Sequence, residues 1–317
     1  MPAKTPFAWS PSHLGRYRRC PRSEQWHSEG VAPQPNPMLM LGQVFHDLVR
    51  QVHQVPPRSQ RPTFFKEWKS CQQAWWSQRF WGSAKPMESW WEGRDPWTDH
   101  GKLGAQAIKV YWDKITQAHS TPLAVERSFR GYEFKLGGYY YRGVIDQVWR
   151  TRDGRLAIVD LKLSGANPEQ EAWQDWLRKN LQLTLYWQAA QTIWPHEEIA
   201  LFVHHFWIHW VTEPDGSRHQ VVTSHFYPTQ RQPEDLKAAL EVIEFVATNI
   251  QDGYFPPTED RNTCRWCEYA YHCQEGRLVR SQPLEALDYA PELVETAPLI
   301  TPKPRQRRFK FRVVTAH

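Results

Sequence analysis

The chain has 317 residues, enough for one large domain with insertions or for two domains, and long enough to build a core without disulfide staples. No apolar run reaches bilayer length and MPAKTPFAWSPSHLG lacks a signal-peptide core, which sets aside transmembrane, secreted and collagen-like classes and makes a reducing cytoplasm the expected compartment. The net charge of +5 comes from the stretch Lys303–Arg312, with six basic residues and no acid; without it 33 basic face 34 acidic residues, so a nucleic-acid groove in the body would have to be a local patch.

In chain order, residues 10–28 predict a capped helix that stops at Pro21, and Pro33, Pro35 and Pro37 mark a loop. MLMLGQVFHDLVRQVHQV has helical periodicity up to Pro56 and Pro57. Residues 62–120 read as further helices carrying Trp68, Trp75, Trp76, Trp81, Trp90, Trp91 and Trp97; packing between helices explains these rings more simply than a platform for stacked bases. From residue 122 the texture changes: PLAVERSFR, YEFKL, YYYRGVIDQVW and RLAIVDLK read as successive strands. A helix over about 169–193 follows, then strands IALFVHHFWIHWV and HQVVTSHFY joined at Pro-Asp-Gly, then the amphipathic helix LKAALEVIEFVATNI. The expected organisation is one domain over 1–275, with a helical insertion near 50–120 and a core near 122–227, followed by an extended or disordered basic tail over 276–317.

Asp146 and Asp160 each stand in an apolar strand, and an acid there is costly to bury unless it is paired or bound to metal. Lys162 shares a face with Asp160. The turn between the strands decides whether the acids meet. A two-residue Asp153-Gly154 turn pairs Val148 with Val159 and sends the carboxylates to opposite faces; a three-residue loop, Arg152-Asp153-Gly154 with Gly154 left-handed, pairs Asp146 with Asp160. In the second register a divalent cation would relieve the repulsion, and carboxylate oxygens suit Mg²⁺ or Mn²⁺. A plain Lys162–Asp146 salt bridge is the other reading of the same residues. Gly42 and His46 lie four apart on one helix, as do Gln182 and Tyr186 on another, and Glu126 is either a supporting acid or an ion-pair partner. His204, His205 and His209, in an apolar strand, read as hydrogen-bonded sheet histidines.

Cys264, Cys267 and Cys273 form C-x2-C-x5-C, and Cys20 stands far upstream; one remote and three clustered thiols suit zinc or an iron–sulfur cluster, and spacing does not separate the two. Cys71 has no companion nearby.

The ordered set Gly42/His46, Gly143/Asp146, Asp160/Lys162 and Gln182/Tyr186 resembles the PD-(D/E)XK nuclease superfamily, in particular its RecB-like branch with the CRISPR-adaptation exonucleases and the AddB-type nuclease domain. The resemblance implies an α/β restriction-endonuclease-like core with a mixed central sheet and a helical N-terminal insertion. His46, Asp146, Asp160 and the Leu161 carbonyl would hold Mg²⁺ or Mn²⁺, Lys162 would orient or activate water, and Gln182 and Tyr186 would position the motif and the DNA. Cys20, Cys264, Cys267 and Cys273 would hold a structural [4Fe–4S] cluster that closes the C-terminal region onto the N-terminus. The implied activity is metal-dependent DNA cleavage, most simply an exonuclease on single-stranded ends, in CRISPR adaptation, recombination and repair, or a phage process. No G-x-x-x-x-G-K-[ST] motif is present, so a helicase or integrase would come from a partner chain; no membrane contact is expected. The alternative is a non-catalytic cluster- or zinc-bearing DNA-end-binding module or adaptor.

Overall fold

The computed structural model describes residues 8–33, 37–54, 96–118, 122–129, 134–274 and 276. Most of the Trp-rich segment, with Cys71, and the basic tail lie outside the described residues; Trp97 lies on a described helix.

A five-stranded mixed sheet has the order β2 (Ala124–Phe129), β5 (Gly143–Arg150), β6 (Leu156–Ser164), β7 (Ile199–Thr212), β8 (Arg218–Thr229), with only β6 and β7 parallel. The parallel pair needs a crossover, and α5 (Glu171–Lys179) and α6 (Leu181–Ile193) supply it. A small sheet joins β1 (Ala8–Trp9), β4 (Tyr139–Tyr141) and β3 (Lys135–Leu136). Among the described residues the remaining helices are α1 (Pro11–Arg19), α2 (Pro21–Ser28), α3 (Pro37–Gln54), α4 (Pro96–Ala118), α7 (Pro233–Gln251) and α8 (Arg261–Trp266).

β6 reads LAIVDL because both its faces are covered. Leu156 and Ile158 join a core with residues of α1, α6 and α7, whereas Ala157, Val159 and Leu161 join one with residues of α3 and α4. In α3 the buried Leu41, Val44, Phe45, Leu48, Val49 and Val52 recur at helical spacing and form the stripe that packs on the sheet.

Three elements differ from the sequence reading. The helix expected over 10–28 is two helices meeting at Cys20: the extended backbone of Cys20 ends α1, and Pro21, which lacks an N–H, opens α2. The helix expected over 169–193 breaks at Asn180, whose side chain caps α6 by accepting from Leu183 N at 3.0 Å. The buried Arg231 guanidinium donates to the Leu177 and Asn180 carbonyls and to Thr184 Oγ1, so the break is satisfied from outside the helix. The segment 139–150 is two strands in two sheets. Its first half pairs with β1 and β3, and Arg142 N, between the halves, donates to the Trp9 carbonyl.

Candidate metal centre and nuclease site

The β5–β6 loop is the three-residue one. Thr151 N donates to the Arg155 carbonyl at 3.0 Å, and Gly154 has φ +89. The register Gln147↔Val159 then sets Asp146 opposite Asp160. Beyond this point the strands part. Leu161 N–H donates to Asp146 Oδ2 at 2.8 Å.

Around the parting stand groups from five elements. His46 on α3 brings Nδ1 to 3.6 Å from Asp146 Oδ1 and 4.0 Å from Glu126 Oε1. His46, Glu126 and Asp146 each offer a ligand atom within 4.8 Å of the other two. Glu126 is the residue of β2 that falls opposite Asp146, between the regular pairs Val125↔Gln147 and Arg127↔Ile145, and it has φ +53. A non-glycine residue in that region is strained, and such strain collects at functional sites. The strand pattern alone gives no sign of it.

Asp160 is fully buried. Its carboxylate lies 3.1 Å from Lys162 Nζ, yet Oδ2 accepts no well-aligned hydrogen bond. Lys162 Nζ also donates to Gln182 Oε1 at 3.1 Å, and Gln182 Nε2 donates to Tyr186 Oη at 2.8 Å. The i,i+4 pair of α6 thus forms one line with the lysine and Asp160. The salt bridge expected as the plain alternative joins Lys162 to Asp160.

Burial and the neighbouring Asp160 charge hold the Asp146 carboxyl above its ordinary range, opposed by Lys162 and the Leu161 N–H. Burial, then the Asp146 charge, raises Glu126 as well. Burial and Lys162 lower His46 and keep its imidazole neutral, the form that ligates metal. A fully buried carboxylate oxygen with only the Lys162 ammonium against it, beside carboxyls that resist ionising, fits a divalent cation, whose charge favours their ionised forms. Hard oxygen donors with one imidazole suit Mg²⁺ or Mn²⁺.

Gly143 has a steric reason. A Cβ there would lie 2.5 Å from the Phe129 ring and 3.2 Å from Tyr186, and these two rings meet edge to face. Gly42 has none among the described residues, where a Cβ meets nothing within 4 Å.

The histidines of β7 divide. His205 Nε2 lies 3.0 Å from Ser164 Oγ and His209 Nδ1 lies 3.4 Å from the Trp207 carbonyl, but both ring nitrogens of the buried His204 lack partners among the described residues. The expectation of hydrogen-bonded sheet histidines therefore fails at His204, which sits among Tyr111, Phe206 and Phe226.

Cys20, Cys264, Cys267 and Cys273 line one cavity. Cys20 sits at the α1–α2 junction, while Cys264 and Cys267 belong to the last turn and cap of α8. Burial, then the neighbouring thiols, pushes Cys264 up to about 12. Tyr269 N–H donates to Cys267 Sγ at 3.4 Å. The two chain regions are also tied without a metal: Tyr17 Oη donates to the Tyr254 carbonyl and Arg22 Nε to the Phe255 carbonyl.

The family model of the PD-(D/E)XK nuclease superfamily matches residues 8–274. The chain belongs to this nuclease superfamily. Among solved structures, "Crystal structure of SSO0001" is similar at 12% identity, covering 86% of this chain and 88% of that one with a TM-score of 0.36. No curated protein matches. Among the described residues no helix is long and apolar enough to cross a membrane.

Proposed function

We propose that this chain is a metal-dependent DNA exonuclease acting on single-stranded ends. The observation that carries the reading is the convergence of His46, Asp146, Asp160, Lys162, Gln182 and Tyr186 at the parting of β5 and β6. His46, Asp146 and Asp160, with the Leu161 carbonyl, would hold Mg²⁺ or Mn²⁺, and Glu126 lies within reach of the same ion. The ion would activate water and stabilise charge on the scissile phosphate. Lys162, about one-third exposed and anchored by Asp160 and Gln182, orients the attacking water. Tyr186 stands behind the carboxylates, held by Gln182 and by the space that Gly143 leaves.

Exonuclease action, the preference for single-stranded ends, and a setting in CRISPR adaptation, recombination and repair, or a phage process rest on the resemblance of the four motifs to the RecB-like branch. A helicase or integrase partner belongs to the same reading. So does a structural [4Fe–4S] cluster on Cys20, Cys264, Cys267 and Cys273, supported by four sulfur donors around one cavity.

End-labelled single- and double-stranded DNA incubated with Mg²⁺ or Mn²⁺ tests the activity. Shortening from an end, stopped by EDTA and by Asp160→Ala with DNA binding retained, is the expected result. Undiminished cutting by Asp160→Ala in EDTA overturns it, and binding without cutting by the native chain points to an end-holding module.

A further inference from the structure

The far side of the sheet from Lys162 carries a buried polar chain that the catalytic reading leaves unused. Trp149 Nε1 donates to Gln147 Oε1 at 2.9 Å, Gln147 Nε2 meets Tyr111 Oη at 2.5 Å, and Tyr111 Oη meets His53 Nε2 at 2.5 Å. Tyr111 is fully buried and Gln147 is nearly so. The direction of every bond follows from Trp149, whose indole only donates. It fixes the Gln147 amide with its oxygen toward Trp149 and its NH₂ toward Tyr111. The Tyr111 oxygen accepts from that NH₂ and gives its own proton to His53. His53 Nε2 therefore carries a lone pair, in keeping with burial, which lowers this histidine to about 4.

The chain ties together, through α4, two elements that carry groups of the metal centre. Gln147 is the neighbour of Asp146 on β5. His53 lies two helical turns from His46 on α3, on the same face. Tyr111 joins them from α4. The apolar contacts of Leu48, Val49 and Val52 hold α3 onto the sheet but are not directional, so they resist sliding along the helix axis weakly. Hydrogen bonds weaken over a few tenths of an ångström, and these resist sliding directly.

We propose that Trp149, Gln147, Tyr111 and His53 form a positioning relay that sets the axial register of α3 on β5, and thereby holds His46 Nδ1 at its place beside Asp146. The proposal rests on the reading of His46 and Asp146 as metal ligands. None of the four residues touches the metal or the DNA in that reading; they act through His46.

The test is Mn²⁺ binding to the full-length protein, measured by electron paramagnetic resonance and calorimetry alongside thermal unfolding. Tyr111→Phe keeps the ring against Phe45 and Phe206 and removes only the shared oxygen. It should weaken Mn²⁺ binding by about 3- to 30-fold, the range for residues that act on a site without touching its ligand, and change the Mn²⁺ signal of the folded protein. Excess Mn²⁺ should restore cleavage. His53→Phe, at the partly exposed end of the relay, is the second variant should Tyr111→Phe fold poorly; it should shift Mn²⁺ affinity in the same direction. A native chain that binds Mn²⁺, with either variant folded and binding it within twofold of native, overturns the relay, whatever happens to the melting temperature. A native chain that binds no Mn²⁺ overturns the metal-centre reading and the relay together.

Discussion

Leu161 N–H donates to Asp146 Oδ2 at 2.8 Å, in the place where a continued antiparallel ladder would offer the Ile145 carbonyl. The carboxylate thus closes the end of the β5–β6 ladder and satisfies a buried N–H. β5 remains paired to β2 through Ile145, so the strands part only on the β6 side. Into that parting come His46 from α3 and, from β2, Glu126.

Glu126 holds a left-handed backbone conformation opposite Asp146. Glycine adopts that conformation freely, so Glu126→Gly should raise the stability of metal-free protein by about 1 kcal/mol, part of the roughly 1–3 kcal/mol that such strain costs. The same change should weaken Mn²⁺ binding. Urea unfolding with and without Mn²⁺ separates the two effects; a variant less stable without metal would contradict the strain.

The two motif glycines should respond oppositely to alanine. At Gly143 the methyl would strike Phe129 at 2.5 Å and press on Tyr186, so Gly143→Ala should cost about 1–3 kcal/mol and most of the cleavage rate. At Gly42 the methyl meets nothing within 4 Å among the described residues, and Gly42→Ala should stabilise α3 by up to about 1 kcal/mol. Thermal unfolding of both variants checks this.

His204 has both ring nitrogens buried without partners among the described residues, and its ring stacks on Phe226 at 3.8 Å. His204→Phe should raise stability at neutral pH by about 1–2 kcal/mol, by removing unsatisfied polar atoms. Burial lowers His204 from 6.5 to about 3. Below pH 6.5 the unfolded chain therefore binds a proton there that the fold refuses; this contribution to stability is complete above pH 6.5 and is lost as pH falls toward 3. Melting temperatures from pH 7.5 to 5 should fall less in His204→Phe than in the native chain, and equal slopes would contradict the assignment.

Cys20→Ala should yield protein without bound iron or brown colour, whereas Cys71→Ala should keep both, since Cys71 stands outside the four-cysteine set that the resemblance implies. The N-terminal helices should stay docked in the soluble fraction, because Tyr17 and Arg22 bond to the carbonyls of Tyr254 and Phe255 independently of the thiols. Iron content and proteolysis near residue 20 measure the two outcomes. Iron retained by Cys20→Ala and lost by Cys71→Ala would reverse the ligand assignment.

Much of the centre follows from local sequence rules. The period-two placement of Asp160 and Lys162, the glycine that lets the hairpin take three residues, and the i,i+4 pair of α6 are short-range features, so the β5–β6 segment alone narrowed the pairing to two registers, of which the fold takes the one that sets Asp146 opposite Asp160. The break at Asn180 was not legible, because it is satisfied by Arg231 from 51 residues away. Nor was the division of 139–150 between two sheets, which depends on Trp9 receiving the Arg142 N–H. The conformation of Glu126, the partner of Lys162 and the bond from Leu161 to Asp146 likewise arise where strands distant in sequence meet. Residue type and periodicity set which face a side chain takes; only the packed strands decide where a ladder ends, and at that end the carboxylates gather.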